Sequence, residues 1–180
     1  NVAMKVADNG MNQVLVNRDC LEEYLRKEYP GFKVISSTTK RMLDLEGLKE
    51  ELEKDYYLVV LDYDLNHDEA VLEGLQPYAD KIEILVNEIC YPNCPMRAAH
   101  YRDESRLQLE YDTRTDFKCP NKSTPRVFEE CTKRPAFISN EQIGEYIERG
   151  YVNFKIVGRG LPMDFVKDSY MYFLVKDEER

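Results

Sequence analysis

Apolar, β-branched runs alternate along this chain with stretches in which apolar residues recur three and four positions apart and charges fill the other face. The runs at 13–16, 32–36, 57–62, 81–86, 136–138 and 153–157 predict six strands, and the segments 20–28, 45–54, 68–78, 95–109, 141–149 and 164–174 predict helices. Boundary signals agree. Asp19 and Asp68 head the first and third helices, Ser139 and Asn140 precede the fifth, and Gly150 ends it. The stretch Leu58, Val59, Val60, Leu61 has no polar break, which marks burial on both faces, as in a parallel sheet covered by helices.

A strand–helix unit takes ~30 residues, so a chain of 180 residues holds about six, whereas a complete eight-unit barrel takes about 250. The expectation is an α/β fold, an incomplete (β/α) barrel of TIM type, forming one domain over residues 1–180. The alternative is an open doubly wound parallel sheet, although the glycine-rich first turn with which such sheets hold nucleotides does not occur. Residues 102–135 break the rhythm. They are polar, carry two cysteines, and read as an insertion, of the kind that forms lids, binding loops or disordered segments.

Composition narrows the classes. With 43% hydrophobic and 33% charged residues the chain is globular rather than disordered, and a formal charge of −9 disfavours nucleic acid and anionic membrane surfaces while leaving a local basic patch open. No apolar run reaches the ~20 residues that span a bilayer, and residues 1–10 lack a secretory signal, so a cytoplasmic protein without a membrane partner is expected. Asn1 in place of Met suggests processing or a fragment of a longer chain.

The strongest candidate chemistry is the set Cys90, Cys94, Cys119 and Cys131, four soft ligands that suit a [4Fe–4S] cluster or a tetrahedral zinc. Cys90 and Cys94 follow a strand, at the end where parallel α/β proteins hold metals and substrates. Against this stands the reading of four unrelated thiols, since the spacing contains no CxxC pair. Cys20, in the first turn of a helix, reads as a small packing residue.

The strand ends add Asn17, Arg18, Ser37 to Lys40, Asp62, Asp64, Asn66, Asn87, Glu88, Gly158 and Arg159. From these, Lys40, Asp62, Glu88 and Arg159 are the candidate catalytic or substrate-orienting residues, in a pocket for a polar or anionic substrate, although each alone is more often a cap or a solvated loop residue. If the strand continues through Asp64, Asp62 and Asp64 share its face and could hold a divalent cation or act as an acid–base pair. His67 and His100 are too few for a histidine metal site. No Gly-x-Ser-x-Gly elbow or phosphate loop is present, and of the 13 tyrosines, which could stack bases or sugars, Tyr24, Tyr146, Tyr170 and Tyr172 lie in helical stretches where packing explains them better.

The segment Phe137-Ile138-Ser139-Asn140-Glu141-Gln142-Ile143, with Tyr146, Gly150 and Phe154-Lys155-Ile156-Val157-Gly158-Arg159, resembles the closing part of the collagenase-like peptidase family. That family includes accessory proteins of oxygen-independent ubiquinone, tRNA and rRNA hydroxylation. The resemblance implies a TIM-like barrel whose last two strand–helix units lie here, and in several members a [4Fe–4S] cluster on four cysteines. This chain departs from it at Ser139-Asn140, where the family often has Arg-Pro, and in its cysteine spacing.

Three functions follow as expectations. The first is an iron–sulfur barrel protein related to collagenase-like peptidases, acting in oxygen-independent modification or redox chemistry. The second is a divalent-metal-dependent hydrolase or lyase, peptidase-like, in which Asp62, Asp64 and Glu88 hold the ion and the cysteines are structural, through zinc or otherwise. The third is a non-catalytic binding module, with a partner protein.

Overall fold

The computed structural model describes residues 2–114, 117–158 and 160–179. The strands are β1 (Gln13–Val16), β2 (Lys33–Ser36), β3 (Leu58–Val60), β4 (Ile82–Leu85) and β5 (Asn153–Lys155). The helices are α1 (Val2–Ala7), α2 (Asp19–Glu28), α3 (Leu45–Glu53), α4 (Glu69–Leu75), α5 (Arg97–Glu110), α6 (Phe128–Thr132), α7 (Asn140–Glu148) and α8 (Met163–Leu174). Among the described residues no helix is long and apolar enough to cross a membrane. The chain divides into two compact units, Asn1–Val86 with Ile138–Ile156, and Asn87–Phe137 with Val157–Arg180.

The first unit holds one five-stranded sheet in the order β1-β2-β3-β4-β5, every pair parallel. The expected strand at 136–138 does not form. Ile138 donates one hydrogen bond to the Val86 carbonyl, 3.0 Å away, and the chain then enters α7, so there is no length for a ladder. The register sorts the sheet into two faces, since side chains alternate along each strand. Val16, Ser36, Val59 and Ile82 are successive neighbours on one face, with Ile84 beside Phe154. Ser36 bonds Glu51 of α3, which places helix on that face. The other face carries Leu15, Ile35, Leu58, Val60 and Leu85 together with Lys33, Glu83, Asn153 and Lys155, and Lys155 Nζ lies 2.8 Å from Glu83 Oε2. One side of the sheet is thus apolar apart from Ser36, and the other is mixed.

Helix ends follow local chemistry. Asp44 and Asp68 cap α3 and α4 by accepting from Gly47 N at 2.8 Å and Val71 N at 3.1 Å, and Ser139 forms a capping box with Gln142 at the start of α7. Gly150, at φ 96°, ends α7 in the left-handed conformation that glycine adopts without penalty. Asp19 falls inside α2 rather than before it: Arg18 is the N-cap and makes no side-chain cap bond, so Asp19 serves the helix as a first-turn acid. Leu48, Leu72 and Leu75 are fully buried, and truncating any one to alanine would cost about 3 kcal/mol.

The second unit contains α5, α6 and α8. The region expected to be an irregular insertion includes the end of α5 and all of α6. Its core is aromatic: the Phe128 ring lies 6.0 Å from Phe137 and Phe165 and 5.3 Å from Tyr172, packed with Cys131. Buried Asn87 ties the start of this unit to α8. Its amide donates to Val157 O at 3.0 Å and Ser169 Oγ at 3.1 Å, and its Oδ1 accepts from Val157 N at 2.6 Å.

Candidate functional site

The polar groups of the sheet unit collect after β2 and β3. The chain leaves β2 through a 3-10 turn, Thr38–Lys40, capped by Ser37, and Thr39 Oγ1 accepts from Asn17 Nδ2 at 2.8 Å. The turn closes on Arg41 at φ 61°, a left-handed backbone that costs a residue with a Cβ about 1 kcal/mol. Its guanidinium meets the end of β3. Nη1 lies 3.3 Å from Asp62 Oδ2, and Nη1 and Nη2 each lie 3.3 Å from Asp64 Oδ2. Both aspartate side chains are 2% exposed, and Asp62 also accepts from Asp64 N at 3.0 Å. β3 ends at Val60, so Asp62 and Asp64 lie in the turn that follows it rather than along one strand face, and the Arg41 guanidinium contacts both carboxylates.

Lys40 belongs to a separate network. Nζ lies 2.6 Å from Glu51 Oε1 on α3, 3.6 Å from Glu22 Oε2 on α2, and 2.8 Å from the Tyr56 hydroxyl, which itself donates to Glu22. Glu51 further accepts from Ser36 at 2.6 Å and Lys54 at 2.6 Å. Burial alone would raise the Glu51 carboxyl, but these donors outweigh it and hold it at about 2. Burial and the Glu22 carboxylate push the Tyr56 phenol well above its ordinary value. The arrangement suits an ionic tie between β2, α2 and α3.

Glu88 lies in the second unit. Burial raises its carboxyl pKa, against the opposing effects of the Cys90 N–H, 2.9 Å away, and the charge of buried Arg97. Arg159, the fourth candidate, lies outside the described residues. Cys131 is buried, its thiol donates to Asn87 O at 3.1 Å, and burial pushes it up to about 12. Cys90, Cys94 and Cys119 are half-buried and not in disulfides, and His100 stacks on Phe117 with ring centroids 4.6 Å apart. Among the described residues no three His, Cys, Asp or Glu side chains are gathered as metal ligands.

Arg41 was missed by pattern reasoning. The available signal was a run of polar residues, Ser37 to Arg41, directly after a buried strand and opposite two aspartates at the end of the next.

No family model matches the chain, and no solved structure matches it. Over 121 residues it is 32% identical to a protein named as an uncharacterized protease of Methanocaldococcus jannaschii, a match that covers 64% of this chain. The chain spans about a third of that relative's length, 35% of it.

Proposed function

We propose that the chain supplies part of a peptidase-type (β/α) barrel of the collagenase-like kind, holding a peptide or other polar substrate at the carboxyl ends of its parallel strands. The observation that carries this reading is the uninterrupted strand order β1-β2-β3-β4-β5. A doubly wound sheet reverses its order at a switch point and is covered by helices on both faces. Sequential order with right-handed crossovers instead puts the helices on one side and curls the sheet in one sense. The charged residues Lys33, Glu83 and Lys155 on the second face fit a barrel interior better than a helix-covered surface.

The archaeal relative's name supports the peptidase class. Asp62 follows β3, at the strand end where barrels hold their chemistry, and would orient substrate together with Arg41 and Asp64. Glu88, whose carboxyl pKa burial raises, is proposed separately as a candidate acid of the second unit. The test is hydrolysis of gelatin and a mixed peptide library, read by mass spectrometry. Cleavage that falls at least about tenfold in Glu88→Gln and Asp62→Asn variants with unchanged circular dichroism is expected. A folded wild-type chain that cleaves none of these substrates would remove the peptidase reading.

One observation favours a second reading, a cysteine-held iron–sulfur cluster or zinc: Cys90, Cys94, Cys119 and Cys131 all fall in one compact unit, and Cys20 in the other. Iron, zinc and acid-labile sulfide per chain, measured on protein purified without oxygen, decide it. Iron with matching sulfide supports the cluster, zinc alone supports a structural site, and neither metal after reconstitution sinks both.

A further inference from the structure

The sheet unit has a concave site at the amino ends of the strands, lined by none of Arg41, Asp62 and Asp64. A cavity of ≈ 760 Å³ opens there, within the few hundred to a thousand Å³ of ordinary small-molecule sites. Its wall is built by the residues that begin successive strands: Phe32 and Lys33 at β2, Tyr57 and Leu58 at β3, Lys81 before β4, and Asn153 at β5. The strand starts are staggered: Leu58 at the start of β3 pairs with Ile35, Ile82 at the start of β4 with Val59, and Asn153 at the start of β5 with Glu83.

Its chemistry is unlike the rest of this acidic chain. Three cations, Arg26, Lys33 and Lys81, line it against two carboxylates, Asp55 and Asp80. Arg26 is fixed, with Nε 2.9 Å from Glu22 Oε1, Nη2 2.7 Å from Asp55 O, and its guanidinium 5.2 Å from the centre of the Tyr56 ring. Asp55 pairs with Arg26 at 3.7 Å and is otherwise in solvent. Lys33 and Lys81 have no carboxylate partner among the described residues. Lys33 Nζ instead lies 4.7 Å from the centre of the Tyr57 ring, and Tyr57 is 44% exposed. A half-exposed aromatic face beside two uncommitted ammonium groups is a place for a planar ring that carries an anion.

We propose that this amino-end cavity binds a small planar anion of the mononucleotide class. The base stacks on Tyr57, displacing Lys33 from the ring, and Lys33 then meets the phosphate together with Lys81. The exchange favours binding because a charge-assisted contact to a phosphate replaces a weaker contact of the ammonium with the ring face. The proposal is independent of the peptidase reading, since it uses the opposite ends of the strands.

The test is isothermal calorimetry of the chain with adenosine monophosphate, adenosine and inorganic phosphate as probes. Saturable binding of the monophosphate is expected, with adenosine and phosphate each at least about tenfold weaker, because each lacks one half of the contact. Lys33→Met combined with Lys81→Met should weaken the monophosphate about tenfold or more, and Tyr57→Ala should do the same. Circular dichroism of both variants checks that these surface changes leave the fold intact. Absence of binding at about 10 mM monophosphate, or undiminished binding in the double lysine variant, overturns the proposal.

Discussion

Lys40 Nζ lies 2.6 Å from Glu51 Oε1, with the two side chains only 11% and 5% exposed, and this contact joins the turn after β2 to α3. Removing one partner of such a pair leaves the other charge buried. Glu51→Gln should therefore cost about 3 kcal/mol at neutral pH, measured by urea unfolding. The pH dependence has a definite sign. The folded carboxyl, at about 2, lies below its ordinary 4.5, so its contribution is complete above pH 4.5 and is lost as pH falls toward 2. Wild-type stability should decline across that window more steeply than that of Glu51→Gln. Parallel curves would show that Glu51 is not the group responsible.

Arg41 combines two opposed effects. Its left-handed backbone favours glycine, whereas its guanidinium balances two nearly buried carboxylates. Arg41→Ala should lose about 3 kcal/mol, because Asp62 and Asp64 are left facing one another. Arg41→Gly should lose about 1 kcal/mol less, since it relieves the backbone. Equal losses in the two variants would argue against the left-handed conformation.

The alternation of apolar runs and helical spacing made five of the six expected strands legible: β2, β3 and β4 are mostly buried, whereas β1 and β5 are legible by their alternating or apolar residues although they are only partly buried. The stretch 136–138 imitated a strand for a different reason. Ala136 and Ile138 are buried apolar residues, and Ile138 donates to Val86 O just before α7 begins. The candidate site was legible in part. Position relative to a strand end identified Asp62 and Asp64, but not which cation would meet them, because that depends on the φ of Arg41. The same logic grouped Lys40 with the strand-end residues, while its long side chain reaches back to Glu51 and Glu22. Side-chain direction is set by neighbours distant in sequence, and no spacing rule reports it.

Asn87 makes three hydrogen bonds with its side chain, two to the Val157 backbone and one to Ser169. Leucine has a similar volume and none of the polar atoms, so Asn87→Leu leaves the half-buried Val157 N–H and C=O without this partner. A loss of about 3 kcal/mol is expected. Ser169→Ala removes one of the three contacts and should cost about 1 kcal/mol. Thermal unfolding of both variants checks the ratio, and equal losses would place the weight on Ser169 rather than on the backbone clamp.

Cys131 offers a chemical readout of the second unit. Its thiol is buried, donates to Asn87 O, and is pushed up to about 12 from 9.0, by burial first and by the Glu88 carboxylate second. A thiol with a raised pKa stabilises the fold below its unfolded value, and that contribution is lost as pH rises from 9 through 12. At pH about 8 iodoacetamide should label exposed Cys20 in the native protein and leave Cys131 untouched until urea unfolds it. Mass spectrometry of tryptic peptides reads the order. If Cys131 were a metal-bound thiolate, protection would depend on the metal, and a chelator at constant pH would expose it. Protection that survives chelation in the folded chain assigns it to burial and the Asn87 hydrogen bond. Rapid native labelling of Cys131 at pH about 8 would contradict both accounts.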